Sequence, residues 1–338
     1  MIPGAVALVK LDGEWLPPYA TGAAVTTAEQ VIPASPDTVY DLASLTKVVA
    51  TLPAVLMLVQ DGVLDLQSPL LSAFPEWKDD ASKAAVLPQH LLTHTSGLPA
   101  WRDFHSHGWD RERIVREVLA TPLEAEPGER MVYSDLGYIL LGELVERACG
   151  LRLDALVIER LYGPLEMTDT LYLPPPELRP RLAACEYRES LGRVQWGDVN
   201  DDNAHAMGGV SGHAGLFSTA ADVATYVDAC WPHNGEVVSD LISPAAARAA
   251  VRSYPSHMPN ANRGLGWSLK DDPWDCSGAF TSPSAFGHTG YTGTSIVVDP
   301  ELGLSAILLT NRVHITSDTG IVTLRRRFHN VLASALRG

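Results

Sequence analysis

The chain has 338 residues, 46% of them hydrophobic, and a formal net charge of -15 at pH 7. This length suits one large core or two lobes in a soluble globular protein. The acidic balance argues against nucleic acid or an anionic membrane as partner, because both need a broad basic surface.

In chain order, residues 5–10 and 15–25 predict two opening strands around the Asp12-Gly13 turn, a hairpin pattern. Residues 39–42 lead into the stretch Asp41-Leu42-Ala43-Ser44-Leu45-Thr46-Lys47 and then the apolar run 48–59, which reads as a helix. That run has 12 residues with Pro53 inside it, too short to span a bilayer. Pro53 predicts a kink or a restart, and Asp61-Gly62 a stop.

Further helices are predicted over 88–92, 110–120, 135–149 and 153–162, separated by loops rich in proline and glycine. In the third, Leu136, Ile139, Leu140, Leu144, Val145 and Ala148 share a face. Residues 173–180 read as a proline-rich surface loop, and 219–230 as a helix capped by Ser218 with Asp222 in its first turn. After residue 264 the period changes to two, which predicts strands over 265–270, 286–290, 294–298 and 304–310. A last helix follows from about Asp318 to Leu336 and carries the only basic cluster, Arg325-Arg326-Arg327.

Strands at both ends with helices between predict one sheet lobe, residues 1–60 and 216–338, and an inserted mainly helical lobe, residues 61–215. The site is expected in the cleft between them. Cys149, Cys185, Cys230 and Cys276 are widely spaced without a C-x-x-C and read as free thiols. The N-terminal residues lack a signal-peptide pattern, so the expected location is the cytoplasm, although a start this close to the first strand also fits a trimmed N-terminus.

Several patterns carry little chemistry. His90 and His94 stand at i, i+4, but no carboxylate completes an H-E-x-x-H metal motif. Asp198, Asn200 and Asp202 imitate the start of a calcium loop, yet Asn203 and Gly209 occupy the places of its glycine and its bidentate glutamate. The glycine-rich stretch 208–215 has no P-loop lysine, and no Gly-x-Ser-x-Gly elbow occurs.

Three other stretches do carry chemistry. Ser44 and Lys47 at i, i+3 face the same way at a helix start, where free N–H groups can hold an oxyanion. The plain alternative makes Ser44 a helix N-cap and Lys47 a solvated lysine. Tyr133-Ser134-Asp135 opens the helix over 135–149, and His288-Thr289-Gly290 lies on a late strand.

In this order the three stretches match the motifs of serine β-lactamases and penicillin-binding proteins, in a Ser-x-x-Lys, Tyr-x-Asp, His-Thr-Gly variant. The stretches 91–99, 212–219 and 287–293 add to the likeness, which covers most of the chain. The sequence thus resembles the class C β-lactamase-like family of serine hydrolases. The resemblance implies an α/β fold of β-lactamase/transpeptidase type: an antiparallel sheet flanked by helices from the N- and C-terminal regions, plus an inserted all-helical lobe. It also implies an acyl-serine mechanism on a small ester, amide or β-lactam, with no cofactor and no metal.

By that resemblance Ser44 is the nucleophile, and Tyr133, Lys47 or the pair accepts its proton; Tyr133 is the expected immediate base and Lys47 its electrostatic partner, a lysine whose pKa burial is expected to lower. Backbone N–H groups of Ser44 and Tyr291 form the oxyanion hole. His288, Thr289, Gly290 and Asp135 line the substrate site, and Gly290 and Gly293 permit close approach. The sequence departs from the family where Asp135 replaces asparagine and His288 replaces lysine. Both changes favour neutral esters or amides over anionic β-lactams. A D-amino-acid peptidase or weak β-lactamase would use the same residues, and a non-catalytic ligand sensor is the alternative of a different class. The oligomeric state is left open.

Overall fold

The computed structural model describes residues 2–189, 192–231, 239–255, 257–258, 261–315 and 320–336. Among these residues the main sheet has eight strands. Its order runs Ser268–Leu269, Phe286–Thr289, Ser295–Asp299, Leu304–Thr310, Gly4–Leu11, Tyr19–Thr26 and Val31–Pro33, with Glu14–Trp15 paired to Gly4–Leu11. Every pairing is antiparallel. The register from Ala5 opposite Thr310 to Lys10 opposite Ser305 joins the first strand to the last at the sheet's centre.

The strand expected over 15–25 breaks in two because Pro17 and Pro18 have no N–H to give the ladder. The strand expected over 265–270 shrinks to Ser268–Leu269, since Gly266 takes φ +79° and cannot continue an extended chain. The late strands Phe286–Thr289, Ser295–Asp299 and Leu304–Thr310 lie within a residue of expectation.

Residues 43–60 form one continuous helical run with three geometries: a 3₁₀ turn at Ala43–Leu45, a π-helical turn at Lys47–Thr51 and an α-helix at Leu52–Gln60. Pro53 explains the middle piece, because it has no N–H for the carbonyl of Val49. Tyr162 Oη donates to that carbonyl at 3.1 Å, and Tyr226 Oη donates to the carbonyl of Val48. The kink expected at Pro53 is therefore a widened turn just before it. By length and composition 43–60 would pass for a membrane span, but Val48 through Leu58 are buried inside the protein.

The helix Asp135–Cys149 matches expectation, with Ser134 Oγ accepting the Gly137 N–H at 3.2 Å and Gly150 closing it at φ +72°. The cap of Ala220–Cys230 is Thr219 rather than Ser218, whose hydroxyl instead pairs with Thr170 at 2.7 Å. The helix expected over 153–162 is α-helical at Leu153–Val157 and then a π turn at Ile158–Tyr162. Part of the loop expected over 173–180 is a 3₁₀ turn, Pro176–Arg181. The final helix is Ile321–Leu336; the start expected at Asp318 lies outside the described residues. All four cysteines are free thiols.

A small sheet of Tyr40–Asp41, Leu216–Ser218 and Leu171–Tyr172 ties the entry of the 43–60 run to the middle of the chain. One cluster of buried apolar side chains continues from Val6 through Val48, Leu140 and Val227 to Ile307, so all three expected segments contribute to it.

Candidate active site

Ser44 stands in the 3₁₀ turn just after Ala43, which is held at φ +47°, in the left-handed region that costs a non-glycine residue energy. Asp41 holds this turn: one carboxylate oxygen accepts the Ala43 N–H and the other the Asn200 N–H, each at 2.7 Å. Ser44 caps no helix, contrary to the plain alternative. Its Oγ accepts instead from Lys47 Nζ at 3.0 Å.

Lys47 is fully buried, not solvated. Its ammonium donates to Ser44 Oγ at 3.0 Å and to the His213 carbonyl at 3.0 Å, and forms an ion pair with Asp135 Oδ1 at 2.7 Å. Burial is the largest influence on its pKa and pushes it down, but Asp135 and Tyr133 outweigh burial and hold it above the ordinary lysine value. The expected lowering is therefore reversed, because the Asp135 carboxylate comes within contact distance. The loop that offers the His213 carbonyl is fixed through the imidazole, which lies 2.8 Å from Ser211 Oγ and 2.8 Å from Asp201 Oδ1. Gly212 packs backbone to backbone on the helix Asp135–Cys149; a Cβ there would sit 2.1 Å from the Tyr138 carbonyl.

Tyr133 precedes the Ser134 cap, and its ring is enclosed by others: His94 at 4.4 Å, Trp274 at 5.0 Å and His288 at 6.0 Å between centroids. Two cations flank it, Lys47 Nζ at 5.1 Å and the Arg263 guanidinium at 5.6 Å from the ring centre. His94 Nδ1 accepts the Ser134 N–H at 3.0 Å, and His90 Nδ1 accepts the Leu87 N–H at 3.3 Å. These two histidines thus hold backbone, and no group of three metal-ligating side chains occurs among the described residues.

His288 is buried, with Nδ1 3.0 Å from the Thr289 carbonyl. Burial, followed by the charges of Arg263 and Lys47, pushes its pKa well below the ordinary histidine value, so it stands neutral. Beyond it the chain turns against the Ser44 segment. Thr292 Oγ1 donates to the Asp41 carbonyl at 2.7 Å and Thr294 Oγ1 to the Leu42 carbonyl at 3.0 Å. Only glycine fits at 290, where a Cβ would lie 2.4 Å from the Leu42 carbonyl oxygen. Gly293 approaches Thr310 rather than the cavity, so the simple turn explains it. Arg325, from the final helix, donates to the carbonyls of Gly290 and Thr294 at 2.7 Å each.

These pieces border one cavity of about 940 Å³. Ser44, Tyr133, Asp135, His288, Thr289, Gly290 and Tyr291 all line it, while Lys47 lies buried behind Ser44. Trp101 borders the mouth, whereas Trp109 packs on His107 at 4.2 Å. Arg263, Trp274 and Arg325 also line it and were not anticipated there. Arg325 was noted only as part of the basic cluster Arg325-Arg326-Arg327, and for Arg263 the signal was an isolated arginine before Gly264-Leu265-Gly266-Trp267.

A sequence profile described as Beta-lactamase matches residues 1–329. The chain belongs to the Beta-lactamase family. Similar to this family member is a putative D-alanyl-D-alanine carboxypeptidase of Escherichia coli O157:H7, 32% identical over an aligned length of 345 that covers 92% of this chain and 79% of that protein. EstCE1, described as a hydrolase with promiscuous acyltransferase activity, has a similar solved structure, with TM-score 0.76 and 23% identity over 97% of this chain and 93% of its own. A class C β-lactamase from Rhodobacter sphaeroides gives TM-score 0.74 and 20% identity over 98% of this chain and 95% of its own. The resemblance read from three short motifs, and the β-lactamase/transpeptidase-like fold it implied, are both borne out.

Proposed function

We propose that this serine hydrolase works through an acyl-enzyme on Ser44, with neutral esters as preferred substrates. The observation that carries the reading is the Lys47 ammonium, shut away from solvent, hydrogen-bonded to Ser44 Oγ at 3.0 Å and ion-paired with Asp135 at 2.7 Å. A lysine held charged cannot take the serine proton at neutral pH. That role falls to Tyr133, with Lys47 beside it as the counter-charge. The Tyr133 phenolate accepts the Ser44 proton as the bond from Oγ to the carbonyl carbon forms. The backbone N–H groups of Ser44 and Tyr291 stabilise the oxyanion. The tetrahedral adduct collapses, the bond to the leaving group breaks, and the leaving group takes the proton from Tyr133. Water, giving its proton to Tyr133, then attacks the acyl carbon; the bond from that carbon to Ser44 Oγ breaks, Tyr133 returns the proton to Oγ, and the carboxylic acid product leaves.

The neutral His288 offers no charge to a substrate carboxylate, and Asp135 adds a carboxylate to the same cavity. Both support uncharged esters over anionic β-lactams. The 32% identity to a protein named a putative D-alanyl-D-alanine carboxypeptidase favours a second reading, hydrolysis of a peptide amide at a D-amino acid.

Intact-mass analysis after incubation with a fluorophosphonate, a penicillin and a p-nitrophenyl ester separates these readings. The esterase reading expects one phosphonate adduct, absent in Ser44→Ala, and no penicillin adduct. A penicillin adduct favours the peptidase or β-lactamase reading, and no adduct with any probe favours a ligand sensor. Tyr133→Phe is expected to slow ester turnover roughly a hundredfold; a loss below a few-fold would return the base role to Lys47.

A further inference from the structure

Arg263 lies in the segment leading to Ser268–Leu269 and is 1% exposed. Its Nε, Nη1 and Nη2 make no hydrogen bond among the described residues. Its nearest opposite charge is Asp272, with Oδ1 3.2 Å from Nη2. Asp272 is itself shared among three other donors, Ser268 Oγ at 3.1 Å and the backbone N–H groups of Trp274 at 2.8 Å and Asn262 at 3.1 Å. Burying a guanidinium without hydrogen bonds is costly, so its position calls for a cause. Its guanidinium carbon lies 5.6 Å from the centre of the Tyr133 ring.

Two cations stand beside that ring, each paired with a carboxylate: Lys47 with Asp135 at 2.7 Å and Arg263 with Asp272 at 3.2 Å. His94 and His288 are pushed well below the ordinary histidine value by burial first and by Arg263 next. Tyr138 is buried and kept protonated, with Arg263 opposing that effect. Asp272 and Asp275 come from the loop that carries Trp274. Arg263 is therefore a second cation, beside Lys47, within reach of the Tyr133 ring.

We propose that Arg263 is a positioning residue for the reaction, standing beside Tyr133 as a second cation and stabilising its phenolate. The inference rests on the reading above, in which Tyr133 is the base for Ser44.

The test is the pH dependence of Ser44 phosphonylation by a fluorophosphonate and of p-nitrophenyl ester hydrolysis, in wild type, Arg263→Lys and Arg263→Met. Because Arg263→Met strands the buried Asp272, the double variant Arg263→Met/Asp272→Asn is measured with it. Removing the cation should lower kcat about tenfold or more, leave KM for the neutral ester nearly unchanged, and move the acidic limb of both profiles up by about one pH unit. Arg263→Lys should restore the limb. An unmoved limb in the folded double variant overturns the inference while leaving the acyl-enzyme reading intact. So does an unmoved limb with a raised KM confined to substrates bearing a carboxylate, which would make Arg263 an anchor for that group. No phosphonylation of the wild type at any pH removes the reading and the inference together.

Discussion

The Asp41 carboxylate is 2% exposed and binds the backbone on both sides of the site, at Ala43 and at Asn200. Burial pushes its pKa up to about 6, against the pull of those two hydrogen bonds. Below the unfolded carboxylate value of ~3.9 both states are protonated, and the group contributes nothing to the pH dependence. As pH rises toward 6 the unfolded chain loses this proton first, so stability falls, and the penalty is complete above about 6. The cost is about 3 kcal/mol. Asp41→Asn removes the titration, and urea unfolding from pH 4 to 8 should show wild type losing about that much relative to the variant across the window. Parallel curves would show that Asp41 titrates at its ordinary value. At this scale Ser44 and Lys47 were legible as i and i+3 on a helical turn, and Tyr133 and His288 through the resemblance of their short stretches to the family's motifs. Asp41 was read only as part of a lead-in strand, and Arg263 not at all, because their partners come from distant segments.

The run through residues 43–60 shows what a sequence pattern can and cannot locate in an element. Pro53 announces an interruption, but apolar periodicity does not say which turn widens or which donor replaces the missing N–H. The answer lies in Tyr162 and Tyr226, whose hydroxyls reach the carbonyls of Val49 and Val48 from other parts of the chain. Tyr162→Phe should therefore leave a buried carbonyl without its donor and cost about 1–3 kcal/mol in urea denaturation. The same run holds Ser44 in its 3₁₀ turn and Lys47 in the π turn with Val49, so a drop in ester turnover should accompany the loss. A change under about 0.5 kcal/mol would mean that another donor serves Val49. The helix Asp135–Cys149 was legible to the residue because its cap and its stop are local, at Ser134 and Gly150. The opening and late strands were shortened by Pro17-Pro18 and Gly266, backbone effects that hydrophobic alternation overlooks.

For the whole molecule, the sequence pattern showed a sheet built from both chain ends and helices between, but not that they share one interior. The first strand lies between Leu304–Thr310 and Tyr19–Thr26, so its pairing with Leu304–Thr310 joins the strands of both chain ends into one continuous sheet. The apolar cluster passes from that sheet through the 43–60 run into the helix Asp135–Cys149. A chain of 338 residues is long enough for populated intermediates. Here the segment 61–215 packs its principal helix on the Ser44 run, and no separate core of comparable extent occurs within it among the described residues. Equilibrium unfolding in urea is therefore expected as one transition. Far-ultraviolet ellipticity, tryptophan fluorescence and ester hydrolysis should lose half their signal at the same denaturant concentration. Hydrolysis joins the set because the site draws on Ser44, Tyr133 and His288 from three stretches that meet only through this core. Activity lost well before ellipticity would show that the stretch carrying Tyr133 detaches while the sheet persists, and would make 61–215 a folding unit of its own.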